Sequence, residues 1–412
     1  METKTRYRLQ HEREAHGWTQ QEVADLIGTT GLNVSRWERG ITVPRPYFRA
    51  QLCKLFGKSP QELDLAVPGE ADKPIYDPAI PPNLLLLARD QELAWLKEQL
   101  SAGGRHDVVA LHGLPGVGKT ALAVGLAHDQ EVRAHFCDGI LWAALGPEPS
   151  IPTILTRWGD LLGISPERMS HLRSDEDWFF AVADSLGQRR MLVVIDNVWS
   201  ANDALSCAVG SNCAHLITTR FPGIATDIAG EGATVIRELN EHEGVTLLRM
   251  LAPHMDHEEQ KVLDLVNAVG GLPLALTLMG KYLYTQAATG QPRRVKDALE
   301  RLSRAEERLQ LHESRGPLDH HSSLPTERDL SLQSVFAVTC QQLDNEARAA
   351  LSALSVFPPK PNSFSEEAAL GVAGCTVNTL DALLDTGLLE SSSPGRYMLH
   401  PVVADYARVF LA

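Results

Sequence analysis

The chain begins in short helical blocks. Over residues 6–16, 20–27, 31–39 and 47–56 apolar and long side chains recur at helical spacing. Gly17, Gly28 and Gly40 end the first three blocks, and Pro44 and Pro46 precede the fourth. Thr19, with Glu22 three residues on, predicts a capping box, and Thr30 predicts a second N-cap. Residues 66–83 carry Pro68, Gly69, Pro74, Pro78, Pro81 and Pro82, which predicts a semi-extended connector. A helix resumes near Asp90, with Leu93, Leu96 and Leu100 along one face. The pattern then changes to apolar runs of strand length at 108–112 and 191–195, the mark of parallel strands covered on both faces, and 215–219 reads as another short strand, ending at the base Arg220. Helical spacing returns at 271–276 and over 331–357, and a hairpin is predicted between 388–390 and 397–401, turning at 392–395. The charge-rich stretch 293–330, including HESRGPLDHHSSLP with its adjacent His320 and His321, reads as an exposed loop.

The run 108–112 feeds directly into GLPGVGKT, residues 113–120, and a segment of strong helix formers follows. Strand, glycine loop and helix in this order place backbone N–H groups and a helix N-terminus around a phosphate chain. Gly113, Gly116, Val117 and Gly118 form the loop, and Ala121 lies in the first helical turn. Lys119 is expected to reach the β- and γ-phosphates and Thr120 to bind Mg²⁺ through its hydroxyl. The run 191–195 ends in Asp196, and an acid at the carboxyl end of a parallel strand can hold the same Mg²⁺.

Composition narrows the setting. The 412 residues allow about three domains. No apolar run is long enough for a membrane span and no signal peptide is visible, so a cytoplasmic protein is expected. The six cysteines form no C-x-x-C pair, so neither a zinc site nor a disulfide framework is implied. The net charge of −14 argues against a wholly nucleic-acid-binding surface. Residues 1–65, however, hold ten Lys/Arg against eight Asp/Glu, the one segment whose balance tolerates DNA.

Two stretches resemble known families. GWTQQEVADLIG, VSRWERG and SPQEL resemble the Cro/repressor-like XRE helix-turn-helix domains over about 60 residues. The resemblance implies a recognition helix whose Gly31, Leu32, Asn33 and Arg36 meet base edges, with Gln20 on phosphate. Asn33 would pair with adenine and Arg36 with guanine or phosphate, while Val34 and Trp37 pack inside. Gly31 and Leu32 stand where such domains usually carry polar readers. A helical protein-recruitment domain on the same scaffold is the alternative.

Residues 84–412 resemble the NB-ARC class of STAND ATPases. The matching stretches are GLPGVGKT, FCDGILW at 136–142, LVVIDNVW at 192–199, LITTR at 216–220, GLPLAL at 271–276 and MLHP at 398–401. The resemblance implies a multidomain chain: a helix-turn-helix domain (1–66), a linker (67–83), an α/β P-loop domain (84–239), a helical domain (240–322) and a winged-helix domain (323–412). It implies ATP/ADP with Mg²⁺ as cofactors, Lys119, Asp196 and Arg220 as the catalytic set, and Arg220 as a γ-phosphate sensor. It further implies that Arg89 lies near base or ribose, Pro273 packs on adenine, and His400 bonds the β-phosphate of ADP in a closed form.

Three positions depart from the family pattern. Ala88 replaces a glycine. Asn197 stands where many relatives carry a second Asp, which leaves no general base there and implies slow hydrolysis. Pro401 replaces an Asp, removing a carboxylate and an N–H. No period of 20–50 residues repeats, so a sensor is expected on another protein or beyond this sequence. The function expected from the two resemblances is an ADP-off, ATP-on switch that self-associates and acts through DNA. The alternative is an immune or cell-death scaffold.

Overall fold

The computed structural model describes residues 7–411 apart from 43, 45, 57, 59–62, 66–73, 84–88, 101–106, 188, 256–257 and 315–328. Ala88, His320, His321 and most of SPQEL therefore lie outside the described residues. The chain divides into two compact units, Met1–Ile75 with Ser165–His171, and Tyr76–Ile164 with Leu172–Ala412.

The first unit is helical, with elements at Tyr7–Ala15, Gln20–Ile27, Gly31–Glu38 and Pro46–Phe56. The capping box forms as expected: the Glu22 amide donates to Thr19 Oγ1 and the Thr19 amide to Glu22 Oε2, at 3.2 and 2.6 Å. Gly28 closes the second helix in the left-handed region at φ +76°, and Thr30 caps the third. Leu9, Val23, Ala24, Val34, Trp37 and Leu52 build its core. Beneath that core the Arg13 guanidinium grips buried Glu38, Nε to Oε1 at 2.6 Å and Nη2 to Oε2 at 3.2 Å.

The second unit is built on six strands: β1 (Ile75–Tyr76), β2 (Val108–His112), β3 (Gly139–Ala144), β4 (Met191–Val198), β5 (Ala214–Thr219) and β6 (Ala233–Val235). Their spatial order is β1-β3-β4-β5-β2-β6, and the pairs β3/β4, β4/β5, β5/β2 and β2/β6 are parallel. The apolar runs are buried along nearly their whole length, as strands covered on both faces must be. β5 lies between β2 and β4. The carboxyl ends of these three strands therefore bring Gly113, Asp196 and Arg220 to one edge of the sheet.

Helices at Glu241–Leu251, Glu259–Ala268, Pro273–Ala287, Pro292–Leu302 and Ala305–Leu309 follow. A winged-helix arrangement closes the chain, with helices Leu332–Cys340, Asn345–Leu354, Glu366–Ala373 and Val377–Asp385 and a small sheet of Phe364–Ser365, Glu390–Ser393 and Arg396–Met398. One hydrophobic core runs from Leu96 to Ala407, so the α/β, helical and winged-helix parts pack as a single body.

Three expectations are corrected. The connector ends earlier than 83: Ile75–Tyr76 adds an edge strand to the sheet. Asp77 anchors it as a buried carboxylate accepting from the Trp142 amide (3.1 Å), Trp158 Nε1 (2.8 Å) and Arg157 Nε (3.0 Å). Proline density hid this because a single well-bonded acid outweighs local extension. Within the stretch read as loop, His312–Ser314 pairs antiparallel with Asp329–Ser331, a polar two-strand ladder without the apolar alternation that sequence reading needs. The hairpin turns at Pro394–Gly395, after a strand that starts at Glu390. Among the described residues no helix is long and apolar enough to cross a membrane.

Candidate functional site

The glycines of the loop after β2 are there for space. A Cβ on Gly113 would stand 2.4 Å from the Ile236 carbonyl oxygen, and one on Gly116 2.9 Å from Leu274 Cβ; both positions also have positive φ. The backbone thus passes hard against the following elements. The Leu274 amide, in the first turn of the Pro273 helix, donates to the Gly116 carbonyl at 3.1 Å. Pro273 takes position N1 of that helix, where its missing N–H costs nothing. Within the loop the Val117 amide donates to the Leu114 carbonyl at 3.2 Å. Gly118 caps the Lys119–His128 helix, which places Thr120 and Ala121 in its first turn.

Lys119 Nζ donates to the Gly113 and Leu114 carbonyls at 2.7 and 2.9 Å. Burial pushes its pKa down to about 7, the charge of Arg220 adds to the drop, and Asp196 opposes it. Such a buried cation is complementary to phosphate oxygens. Thr120 Oγ1 donates to Asp196 Oδ1 at 2.8 Å, and Thr218 Oγ1 donates to the same oxygen at 2.6 Å. Hydroxyl and carboxylate oxygens brought together at the head of a phosphate loop are the hard donor set that Mg²⁺ takes. The register of β4 against β5 shifts between Ile195 and Val198, and Asn197 sits at φ +56°. This bulge re-aims the strand end beside the loop. Asparagine tolerates the left-handed backbone better than most residues. Its amide N–H donates to Thr218 Oγ1 at 2.9 Å, and its Oδ1 accepts from Trp199 Nε1 at 3.1 Å.

Arg220 follows β5. Its Nη1 donates to Thr339 Oγ1 at 2.6 Å, and its guanidinium lies 4.5 Å from the centre of the Trp199 ring. Burial lowers its pKa to about 10. Arg89 is buried and braces the loop from behind: Nη2 donates to the Val117 and Arg237 carbonyls at 3.0 and 2.7 Å, and Nη1 pairs with Glu92. Its bonds therefore shape the loop backbone, a role its sequence context did not announce.

His400 caps the last helix and is buried. Its Nδ1 accepts from the Val402 amide at 3.2 Å, which leaves the proton on Nε2, facing the Gly270 carbonyl at 3.3 Å. Burial drives its pKa down to about 4 against the opposing pull of Glu238, so the ring is neutral near pH 7. Pro401 sits at N1 of that helix, and a Cβ on Gly270 would come within 2.8 Å of His400 Nε2 and 2.9 Å of Pro401 Cδ. The Asp-to-Pro departure thus substitutes a packing contact for a carboxylate. Nearby, Lys360 Nζ bridges Glu390 and Glu238 at 2.5 and 3.4 Å.

In the helix-turn-helix unit, Val34 and Trp37 are in the core as expected. Gln20 Nε2 donates to buried Glu38 at 2.6 Å, which ties it to the ion pair beneath. Asn33 Nδ2 donates to Thr29 Oγ1 at 3.0 Å. Gly31 is packed against Gln21, whose Oε1 would lie 2.7 Å from an added Cβ. Leu32 is 58 % exposed, and Arg36 is exposed one helical turn on.

Sequence reading missed Thr218, Trp199 and Thr339. The first two lie inside stretches that drew notice, LITTR and LVVIDNVW, but nothing local marks their partners. Thr339 carries no signal, since it meets Arg220 only through the fold.

Comparison with known proteins places these observations. The NB-ARC domain family matches residues 89–258 and a helix-turn-helix domain family matches 7–66. The chain is 32 % identical over 318 residues to the regulatory protein AfsR of Streptomyces coelicolor, covering 75 % of this chain and 30 % of that protein. Against AfsR of Streptomyces griseus the identity is 30 % over 310 residues, covering 73 % and 30 %. Disease resistance protein RPP8 of Arabidopsis thaliana is 29 % identical over 230 residues, covering 52 % and 25 %. The chain thus spans about a third of the length of the curated regulators it matches. A Walker-type ATPase of Pyrococcus abyssi shares the fold, with a TM-score of 0.51 at 13 % identity, covering 80 % of this chain and 98 % of that one. The chain thus carries an NB-ARC domain at 89–258, with its phosphate loop and Thr120–Asp196 pair, joined to an N-terminal helix-turn-helix domain at 7–66.

Proposed function

We propose that this chain is a nucleotide-dependent regulator that is closed with ADP, opens with ATP·Mg²⁺, and acts on DNA through residues 1–66. One observation carries the reading: the phosphate-loop residues Lys119 and Thr120, the acid Asp196 and the capping His400 sit in one body in which the Gly116 carbonyl is bonded by the Pro273 helix. A bound ATP supplies a phosphoanhydride whose third phosphate distinguishes it from ADP. Lys119 and the helix N-terminus at Thr120 and Ala121 would hold the phosphates, with Gly113, Gly116 and Gly118 admitting them. Thr120 and Asp196 would hold Mg²⁺, Pro273 would line the base, and Arg220 would read the γ-phosphate. His400, neutral and donating through Nε2, is suited to a β-phosphate oxygen. The similarity to the AfsR regulators supports a transcriptional role. Self-association of the open form would gather several helix-turn-helix domains and raise avidity by roughly 10²–10⁴.

Hydrolysis is expected to be slow, since Asn197 cannot take a proton and its carbonyl oxygen is committed to Trp199. Asn197→Asp should raise steady-state ATP turnover about a hundredfold, the low side of what a positioned base contributes. Fast wild-type turnover, unchanged in the variant, would make the protein a catalytic ATPase rather than a switch.

A second reading has its own observation. Leu26, Leu32 and Ile41 are 59, 58 and 52 % exposed in the helix-turn-helix unit, an apolar allotment suited to a protein partner. Salt-dependent binding to duplex DNA separates the two. Under the DNA reading, Arg36→Ala should weaken binding and reduce the slope of log K against log salt by about one. A slope near zero in the wild type would favour protein recruitment and a scaffold function.

A further inference from the structure

Arg220 is held by the C-terminal part of the chain at two points. Its guanidinium is bonded to Thr339 Oγ1 at 2.6 Å, in the last turn of the Leu332–Cys340 helix. Its carbonyl lies so close to Gly387, at φ +70°, that a Cβ there would stand 2.9 Å away. Thr339 is fully buried, so its hydroxyl is a polar group placed in an apolar helix face with Arg220 as its donor. The guanidinium also stacks on Trp199, which in turn bonds Asn197. The charge of Arg220 also helps to lower the pKa of Lys119.

We propose that Thr339 is a positioning residue that withholds Arg220 from the third phosphate. Docking of the winged-helix part and reading of the γ-phosphate then compete for one guanidinium, and Thr339 forms a second closing contact beside His400. The inference rests on the reading of Arg220 as the γ-phosphate sensor. Its physical basis is exclusivity. The Nη1 hydrogen given to the buried hydroxyl cannot also be given to a phosphate oxygen, and turning the guanidinium away removes its contact with the Leu332–Cys340 helix.

The test is the ratio of the dissociation constants of Mg·ADP and a non-hydrolysable Mg·ATP analogue, measured by calorimetry on the full chain. Thr339→Val keeps shape and removes the acceptor. It should tighten the ATP analogue about tenfold, the worth of one hydrogen bond to a charged group, and leave ADP unchanged. Thr339→Ser should behave as wild type. Thr339→Ala gives the same readout as valine should the valine variant not fold. In an Arg220→Ala background Thr339→Val should have no further effect, because the two residues act as one unit. An unchanged ratio in Thr339→Val, with the ratio lowered in Arg220→Ala, overturns the competition and leaves the sensor reading standing. An unchanged ratio in Arg220→Ala removes the sensor reading and the proposal with it. Equal tightening of both nucleotides in Thr339→Val also overturns the proposal, since it marks general loosening rather than release of Arg220.

Discussion

Lys119→Ala is expected to yield a folded protein that carries no nucleotide through purification and binds neither ADP nor ATP in solution. In the structure the ammonium is buried and turned onto the Gly113 and Leu114 carbonyls, and its pKa is pushed down to about 7. A cation held this way gains most from an anionic partner, because little water competes for it. Loss of its hydrogen bonds to phosphate should cost about 3 kcal/mol, roughly a hundredfold or more in Kd. The check is to denature each purified protein and quantify the released bases, with titration of labelled ADP alongside. Wild type carrying ADP near one per chain and the variant carrying none is the expected pair. Equal nucleotide content in both would mean that the loop is not the nucleotide site, and the switch reading would fall. The alanine should fold, since it takes a charge out of a desolvated setting.

Glu38→Ala should unfold the helix-turn-helix unit while leaving nucleotide binding intact. Glu38 is 2 % exposed and accepts from Arg13 through both oxygens and from Gln20 at 2.6 Å. Removing it strands the Arg13 guanidinium, whose pKa Glu38 holds above its ordinary value. Breaking one side of a buried ion pair typically costs about 3–5 kcal/mol, comparable with the whole stability of a unit this small. Limited proteolysis should then cut rapidly within residues 7–65, and duplex DNA binding should vanish, with the ADP content unchanged. Glu38→Gln keeps the acceptor to Gln20 and should be damaged less. Wild-type protease resistance in Glu38→Ala would show that the apolar core of Leu9, Val34, Trp37 and Leu52 holds this unit without the ion pair.

The local elements and the reactive groups are legible in the order of the residues alone. Thr19 with Glu22, and glycines at 17, 28 and 40, set the ends of the N-terminal helices, because caps and positive-φ turns depend on a few neighbouring residues. Unbroken apolar runs marked the strands, and the spacing of Gly113, Gly118, Lys119 and Thr120 marked the phosphate loop, since strand, loop and helix there are contiguous in the chain. Only the tertiary structure decided which groups share one space. The order β4-β5-β2 sets Thr218 and Arg220 between the loop and Asp196. The fold also brings Thr339 to Arg220 across 119 residues, Gly270 to His400 across 130 and Arg237 to Arg89 across 148. It also gives Gln20 a bond to Glu38 and sets Pro273 and Pro401 at helix starts. The reason is one of range. Propensity, capping and loop chemistry act over a few residues, whereas a buried polar group takes whichever partner the packing of distant apolar faces delivers to it.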